Sequence, residues 1–433
     1  MKSSGDCQRI KRVEGLAGTL PVPGDKSISH RAVLLGSISH GISRVRNFLR
    51  SQDCLSTMRC MKALGVEIIE PNGSTLEIGG VGLHGLKEPQ DVLNVSNSGT
   101  TIRLLSGLLA GQEFHAVLTG DDSIRRRPML RVVGPLREMG AKIFGREDGR
   151  FAPLSIMGSD LNPSSYTLPV ASAQVKSALL LAGLYTTGET VVKEPAPTRD
   201  HTERMLRCMG KEVKSSDGNI AIRGGGELSP LDLEVPGDIS SAAFFLVSGL
   251  VCPDSQVTIR GVGVNPTRTG IIDVLSEMGG NISVANERAE GGEPVADLQV
   301  ESSELRGIDI HGGMIPRVID ELPVIAVAAT QAKGKTVVRD AQELRVKETD
   351  RIRASVEELS KLGAKIEESD DGFSVEGPTE LRGAKCHSHD DHRIAMALAV
   401  AGLVAEGETN ITNADCVDVS FPNFFETLTN LAR

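Results

Sequence analysis

The chain has 433 residues, so we expect roughly two to three domains. Hydrophobic residues make up 39% of it and charged residues 24%, which is typical of a globular protein with a large core. A net charge of −10 argues against broad nucleic-acid binding, which needs a basic face, but leaves room for a local cluster of cations that binds a small anion.

Cysteine usage and hydropathy both indicate the cytoplasm. The seven cysteines are odd in number and form no C-x-x-C pair, which predicts free thiols in a reducing compartment. The longest apolar run, Ile394 to Ala405, has 12 residues and is too short to cross a bilayer. The N-terminus lacks the apolar core of a signal peptide. We therefore predict a cytoplasmic protein without a membrane partner.

One turn occurs twice along the chain. Residues 22–28 read V-P-G-D-K-S-I, and residues 235–241 read V-P-G-D-I-S-S. The first copy runs into Lys26, His30 and Arg31, whereas the second runs into small and apolar residues. We predict that the two turns open two halves of the chain.

Two families of segments alternate between and beyond these turns. The first family has a polar start and is then apolar around most of its circumference, which predicts buried helices. Its six copies begin at residues 26, 97, 171, 238, 320 and 391. The second family is amphipathic, and each copy ends in Leu-Gly or Met-Gly before a β-forming stretch, as expected for a helix with a glycine C-cap. Its five endings lie at residues 64, 139, 209, 278 and 362.

The alternation defines a repeat of about 70 residues. Each repeat is predicted to contain, in chain order, an apolar helix, a strand, a loop, an amphipathic helix and a second strand. Six repeats account for nearly the whole chain and predict an α/β protein with three repeats in each half. We place one domain at residues 23–237 and the other at residues 1–22 plus 238–433, with crossings near 22 and 237. An open helical array is the alternative, but its repeats are normally shorter and lack recurring strands.

Cations and capping residues share the predicted helix starts. Helix N-termini present free N–H groups and partial positive charge, so they bind anions. Ordinary capping explains Ser98, Ser240 and Asp238. It does not explain Lys26, Arg31 or Arg393, because a cation there opposes the helix dipole. A bound anion would resolve that conflict.

Four further cation clusters precede the amphipathic segments. Each one alone is explained by a solvated surface, but four at the same point of a repeat favour a ligand with several negative charges, held between the halves. The clusters are residues 125–127, 199–203, 265–268 and 345–351.

One segment has metal-binding residue types. Cys386, His387 and His389 lie beside Asp390 and Asp391, but no distant second ligand pair accompanies them. We therefore predict no metal at this segment.

Six motifs closely resemble the 5-enolpyruvylshikimate-3-phosphate (EPSP) synthase family, and they cover the whole chain in order. They are G-D-K-S-I-S-H-R (24–31), N-S-G-T-T-I-R (97–103), R-R-P-M (126–129), S-A-Q-V-K-S-A (172–178), R-V-K-E-T-D-R (345–351) and D-H-R-I-A-M (391–396). The resemblance implies an α/β fold of two inverse-αβ domains, each of three repeats around buried parallel helices, with a substrate cleft at the hinge. It also implies transfer of enolpyruvyl from phosphoenolpyruvate to the 5-hydroxyl of shikimate 3-phosphate, with release of phosphate, in aromatic amino acid biosynthesis.

The resemblance further implies residue roles in a monomer that needs no cofactor. Asp320 would accept the 5-hydroxyl proton, and Glu348 with Lys26 would handle the proton at the methylene carbon. Phosphoenolpyruvate would be bound by Lys26, Gly99, Arg127, Gln174, Lys347, Arg351 and Arg393. Shikimate 3-phosphate would be bound by Lys26, Ser27, Arg31, Ser172, Ala173, Gln174, Arg199, Asp320 and Lys347.

These residue types suit the reaction, because two anionic substrates need clustered cations and an oxygen nucleophile needs a base. The residues alone leave simpler readings open. Asp320 would be a plain N-cap, and Glu348 would form a salt bridge to Lys347 or Arg351.

The chain departs from the common family pattern at a late position. The common bacterial form has a Lys two positions before the late F-P, where this chain has Val419. R-D-H-T-E (199–203) and N-P-T-R (265–268) resemble the second class of the family, which includes glyphosate-tolerant members. The resemblance thus implies reduced glyphosate sensitivity, although tolerance is often linked to Ala where this chain has Gly99. An inhibition constant well below the KM for phosphoenolpyruvate would contradict it.

Two alternatives to this function are a related enolpyruvyl transferase and a protein of another class. The enolpyruvyl transferase that acts on UDP-N-acetylglucosamine shares the fold, but its hallmark is a catalytic Cys in a mobile loop, and residues 121–128 contain no Cys. A non-catalytic repeat protein that binds anions would need neither Asp320 nor Glu348, and turnover would separate it from an enzyme.

Overall fold

We analysed a computed structural model that describes residues 7–433, and it divides the chain into two compact units. The N-terminal unit comprises Gly24–Val235 together with Ala289–Glu293. The C-terminal unit comprises the described residues up to Pro23, with Pro236–Arg288 and Pro294–Arg433. No sequence pattern predicted that residues 289–293 group with the N-terminal unit. Residues 1–6 of the predicted second domain lie outside the described residues.

Six buried helices form the centres of the two units, three in each. Most of their residues are buried, so neighbouring elements cover most of the circumference of each helix. These helices are α1 (Lys26–Ser37), α3 (Gly99–Ala110), α7 (Ala173–Gly183), α9 (Ile239–Val251), α12 (Leu322–Gln331) and α14 (His392–Val404).

The amphipathic helices follow the buried ones along the chain, as the Leu-Gly and Met-Gly endings predict. They are α2 (Gln52–Ala63), α5 (Leu130–Glu138), α8 (His201–Cys208), α10 (Gly270–Glu277) and α13 (Arg351–Lys361). The remaining helical segments are α4 (Asp122–Arg126), α6 (Arg146–Gly149), α11 (Ile315–Val318), α15 (Phe424–Leu431) and the 3₁₀ turns at Gly312–Met314, Gln342–Val346 and Ala414–Val419.

Three four-stranded sheets cover the helices of the N-terminal unit, in the orders β14-β3-β5-β4, β6-β7-β9-β8 and β10-β11-β13-β12. Their strands are β3 (His40–Arg46), β4 (Glu67–Asn72), β5 (Thr75–Val81), β6 (Leu93–Asn94), β7 (His115–Thr119), β8 (Lys142–Gly145), β9 (Phe151–Met157), β10 (Ser165–Thr167), β11 (Glu189–Lys193), β12 (Val213–Ser216), β13 (Asn219–Arg223) and β14 (Asp232–Glu234).

The C-terminal unit has sheets in the orders β16-β17-β15-β2, β18-β19-β21-β20 and β1-β23-β22. Their strands are β1 (Gln8–Lys11), β2 (Ala17–Pro21), β15 (Gln256–Gly263), β16 (Asn281–Glu290), β17 (Glu293–Glu301), β18 (Asp309–Ile310), β19 (Gly334–Val338), β20 (Lys365–Ser369), β21 (Gly372–Gly377), β22 (Lys385–His387) and β23 (Glu408–Thr412).

Each repeat is a parallel strand–helix–strand crossover followed by an amphipathic helix and a hairpin. Four buried helices connect two neighbouring parallel strands in this way, for example β6 and β7 around α3. At the two V-P-G-D turns, the strands before and after the buried helix do not pair with each other but with strands at the other turn. Strand β2 leads into α1 but pairs with β15, whereas β14 leads into α9 but pairs with β3. The turns therefore lie where the chain passes from one unit to the other.

The N-terminal segment divides between two sheets. Strand β1 pairs with β23 and completes the sheet of the sixth repeat, which ends without a hairpin of its own. Strand β2 joins the sheet of the fourth repeat instead. Over the described part of the chain, all seven cysteines are free, and no helix is long and apolar enough to cross a membrane.

Close approach of α3 and α7 depends on Gly107. A Cβ atom at this position would lie 2.1 Å from the backbone oxygen of Ala178. Gly107→Ala should therefore force the two helices apart and lower the free energy of unfolding by about 1–3 kcal/mol. Urea denaturation measures this loss.

Gly134→Ala is the matched control for Gly107→Ala. Gly134 lies in α5, and a Cβ there meets no atom within 4 Å. This substitution should change the free energy of unfolding by less than about 1 kcal/mol. Equal losses in the two variants would contradict the packing argument.

Candidate active site

Side-chain caps fix the starts of five buried helices. The capping residues are Asp25, Ser98, Ser172, Asp238 and Asp391. Helix α12 begins at Leu322 and, within the described residues, has no side-chain cap. The expectation that Ser240 caps α9 is wrong, because Asp238 accepts the bond from the Ser240 N–H and the Ser240 hydroxyl donates to Glu321.

The start of α1 carries three of the predicted ligand residues of the N-terminal unit. Lys26 Nζ lies 3.3 Å from Asp53 Oδ2 at the start of α2, so a carboxylate offsets part of its conflict with the helix dipole. Ser27 is half-buried beside it. Because its side chain is 19% exposed, Lys26 can also contact an anionic ligand.

Arg31 is buried one turn further along α1. Its guanidinium donates to the Thr202 hydroxyl at 2.6 Å, the Ser177 hydroxyl at 2.8 Å and the Ser27 carbonyl at 3.0 Å. All three acceptors are neutral oxygens. Burial lowers the pKa of Arg31 to about 10, but the group is still a cation at neutral pH. A buried cation with neutral partners favours an anionic ligand.

A second cluster joins the starts of α3 and α7. Arg103 Nη1 donates to Gln174 Oε1 at 2.7 Å, and Gln174 Nε2 donates to the Thr100 hydroxyl at 2.9 Å. A Cβ on Gly99 would lie 2.8 Å from Nη1 of both Arg103 and Arg127. Because Gly99 has no side chain, the guanidinium groups of Arg103 and Arg127 can both lie close to the backbone at this position. Sequence reasoning did not single out Arg103, although the N-S-G-T-T-I-R motif contains it.

A chain of hydroxyl groups links these helices inside the N-terminal unit. His30 Nδ1 and the Thr57 hydroxyl are 2.7 Å apart, Thr57 and Thr101 are 2.6 Å apart, and Thr101 donates to Ser98 at 2.6 Å. Burial, with the nearby charges of Lys26 and others, holds the pKa of His30 well below its usual value. His30 is therefore neutral at pH 7 and acts as a fixed hydrogen-bonding group.

Helix α7 and the segment before α8 carry the last predicted residues of this unit. Ser172 caps α7 and Ala173 is its first residue, while Arg199 is half-buried two positions before α8. His201 Nδ1 lies 2.7 Å from Glu293 Oε1, and both side chains are buried. The start of α8 is thereby fixed beside Arg199.

Arg351 is the centre of the C-terminal cluster. It is fully buried at the start of α13, with Nε 2.7 Å from Asp391 Oδ2 and Nη2 2.7 Å from Glu348 Oε2. Its Nη1 lies 3.3 Å from Asp320 Oδ1. Burial opposes the charge, but Asp391, Glu348 and Asp320 together outweigh this effect and raise the pKa of Arg351. Sequence reasoning did not predict that Asp391 holds Arg351.

Asp320 lies between two cations, and the simpler reading of it as an N-cap is wrong. Its Oδ1 accepts from Lys347 Nζ and Arg351 Nη1, each at 3.3 Å. These two contacts fix the position of the carboxylate, and α12 begins at Leu322 without a side-chain cap from Asp320. The simpler reading of Glu348, a salt bridge to Arg351, is confirmed at 2.7 Å.

Arg393 and Glu321 complete the cluster. Arg393 Nη1 donates to the Asp320 carbonyl at 3.0 Å and lies 3.7 Å from Glu321 Oε1. Glu321 also accepts from the Ser240 hydroxyl, which in turn accepts from Arg268 at 2.7 Å. The second V-P-G-D turn thus supports the same cluster through Ser240.

One group of side chains has the geometry of metal ligands. Among the residues that the structure describes, donor atoms of Glu357, Glu358 and His389 lie within 4.8 Å of one another. However, Lys361 Nζ donates to Glu358 Oε1 at 2.7 Å, so a cation from the protein already binds this carboxylate. Cys386, which the sequence suggested as a ligand, is buried on β22 and outside the group.

The fold is that of the enolpyruvyl transferases. The crystal structure of the enolpyruvyl transferase NikO from Streptomyces tendae superimposes with a TM-score of 0.80 over 99% of this chain and 98% of that one. Its 18% identity restricts this likeness to the fold.

More similar proteins define the family. The family profile described as EPSP synthase (3-phosphoshikimate 1-carboxyvinyltransferase) matches residues 10–428. Proteins named 3-phosphoshikimate 1-carboxyvinyltransferase from Citrifermentans bemidjiense and Bacillus cytotoxicus are 54% and 55% identical, each over 98% of this chain and 99% of their own length. The structure of EPSP synthase from Acinetobacter baumannii has a TM-score of 0.89 and 44% identity, with 98% of both chains covered. The chain therefore belongs to the EPSP synthase family.

Proposed function

We propose that this protein transfers the enolpyruvyl group of phosphoenolpyruvate to the 5-hydroxyl of shikimate 3-phosphate and releases phosphate. Membership of the EPSP synthase family supports the reaction. The observation that carries it is the position of Asp320, a carboxylate held by Lys347 and Arg351 with Arg393 against its carbonyl. Such a group accepts a proton from a hydroxyl while the cations bind the anions of both substrates.

The reaction needs two proton transfers at carbon and one at oxygen. The 5-hydroxyl oxygen bonds to the central carbon of phosphoenolpyruvate, its proton passes to Asp320, and the methylene carbon gains a proton to become a methyl group. The methyl group then loses a proton as the bond from carbon to the phosphate oxygen breaks. We assign the transfers at carbon to Lys26 and Glu348. Fixed cations stabilise the charge of the tetrahedral intermediate.

The binding roles follow the charges of the two clusters, which we propose act on the same pair of substrates. Arg127, Lys347, Arg351 and Arg393 bind the carboxylate and phosphate of phosphoenolpyruvate, with Lys26, Gly99 and Gln174. Ser27, Arg31, Ser172, Ala173 and Arg199 bind shikimate 3-phosphate, with Lys26, Gln174, Asp320 and Lys347. We propose a monomer, and the seven free cysteines support a cytoplasmic location.

The test is phosphate release by the purified protein. Release should require both shikimate 3-phosphate and phosphoenolpyruvate, and mass spectrometry should find the enolpyruvyl ether of shikimate 3-phosphate in equal amount. Release with phosphoenolpyruvate alone would instead indicate a phosphatase. Binding of both substrates without release would reduce the protein to a binding module.

Gly99→Ala should weaken phosphoenolpyruvate binding without unfolding the protein. The added methyl group displaces the guanidinium of Arg127, which is proposed to bind this substrate, so we expect its KM to rise about ten-fold. Both obstructing atoms are ends of flexible side chains, so the thermal midpoint should change little. Steady-state kinetics with Gly134→Ala as the control measures the effect, and an unchanged KM would contradict the proposed role of Arg127.

A further inference from the structure

Lys176 is a fully buried lysine in the first turn of α7. Its ammonium lies 2.8 Å from Glu203 Oε1, 3.1 Å from Glu194 Oε2 and 3.3 Å from the Thr198 carbonyl. Glu203 is buried as well, and the side chain of Glu194 is only 7% exposed. Glu194 also accepts from the Thr198 hydroxyl at 2.7 Å. One side chain of α7 thus holds both ends of the segment 194–203, which carries Arg199.

Such a group is not explained by stability alone. Removing an ammonium and two carboxylates from water is costly, and well-packed apolar side chains often replace buried ion pairs without loss of stability. Oε2 of Glu203 also has no hydrogen-bond partner among residues 7–433, although it is buried. The cluster therefore needs a reason beyond packing.

That reason lies in the neighbours of the ion pair. Arg31 donates to the hydroxyls of Ser177 and Thr202, and these residues directly follow Lys176 and directly precede Glu203. The two hydroxyls also bond to each other at 2.7 Å. The contact between Lys176 and Glu203 thus fixes the spacing of α7 and α8 at the two residues that orient the Arg31 guanidinium.

Electrostatics links the same groups. Burial lowers the pKa of Arg31, and the negative charge of Glu203 is the largest of the effects that oppose this shift. The carboxylate of Glu203 therefore stabilises the positive charge of Arg31 without forming a direct ion pair with its guanidinium.

We infer that Lys176 is a positioning residue for shikimate 3-phosphate: paired with Glu203 and Glu194, it sets the orientation of Arg31 and of the segment that carries Arg199. This inference rests on the proposed function, because it uses the assignment of Arg31 and Arg199 to this substrate. Lys176 itself touches no substrate in this scheme. Its loss should weaken one substrate selectively.

The experiment compares Lys176→Met with the parent protein by calorimetric titration of shikimate 3-phosphate and by steady-state kinetics. The Kd and KM for shikimate 3-phosphate should rise about ten-fold or more, whereas the KM for phosphoenolpyruvate and kcat at saturation should change less than about three-fold. A change in the Kd of less than about three-fold in the folded variant would overturn the inference.

Two further variants separate positioning from general destabilisation. Leu180→Ala removes a buried side chain from the same helix but none of the three charged groups, and at a comparable loss of thermal midpoint it should leave the Kd unchanged. An equal rise of the Kd in Leu180→Ala would overturn the inference. If Lys176→Met does not fold, Glu203→Gln decides, because it keeps the side-chain shape and should raise the Kd in the same direction.

The titration also separates this inference from the proposed function. Parent protein that binds shikimate 3-phosphate without releasing phosphate would refute the proposed function, while the Kd of Lys176→Met would still decide the positioning role. Parent protein that does not bind shikimate 3-phosphate would refute both.

Discussion

An Asp320→Asn variant should release phosphate about 10²- to 10⁴-fold more slowly than the parent protein. Asn keeps the shape of the side chain but cannot accept the proton of the 5-hydroxyl. In the native protein, Asp320 Oδ1 lies 3.3 Å from Lys347 Nζ and from Arg351 Nη1, so two cations fix the position of this carboxylate. The measurement is the rate of phosphate release with both substrates saturating.

The control for Asp320→Asn is Asp309→Asn in the same unit. Asp309 is exposed and pairs with Arg339 at 3.5 Å, so the same chemical change there should leave the rate unaltered. Calorimetric titration should show that the Asp320 variant still binds shikimate 3-phosphate. A residual rate within about ten-fold of the parent would mean that another group is the base.

The repeat architecture could be predicted because it follows from periodic patterns within short segments. Apolar helices and glycine C-caps are local signals, and all six buried helices begin within a few residues of the predicted positions. The exchange of β2 and β14 at the two turns could not be predicted. Those pairings join strands that are far apart in the sequence, and nothing local encodes which sheet a short strand enters.

The candidate active site also has a part that the sequence predicts and a part that it does not. Motifs predicted which residues carry charge at the helix starts, since residue type and spacing are visible in the sequence. They did not predict which partners hold those charges. Two examples are the hydrogen bonds from Arg103 to Gln174 and from Arg31 to Thr202. Each one joins two separate helices, so it depends on how the helices pack rather than on the spacing of residues along the chain. Ser240 shows the converse error, because the capping role predicted for it is wrong and its hydroxyl bonds to Glu321 instead.

Arg351→Met should destabilise the C-terminal unit strongly, in addition to abolishing activity. Arg351 neutralises Asp391, which is fully buried, and also contacts Asp320 and Glu348. Removing one partner of a buried ion pair leaves an uncompensated charge and typically costs about 3–5 kcal/mol. We expect a loss of this size in the free energy of unfolding, measured by urea denaturation.

Arg353→Met tests whether this loss comes from burial rather than from the removal of any arginine from α13. Arg353 lies two residues further along the same helix and contacts Glu357 at 3.0 Å, but it is exposed to solvent. Water screens that pair, so its removal should produce no measurable change in stability. Comparable losses in the two variants would contradict the argument, because α13 would then depend on total charge. A large loss confined to Arg351→Met would mean that the cation proposed to bind phosphoenolpyruvate also holds three carboxylates of the cluster together, so that the binding and stability of this site cannot be altered independently at residue 351.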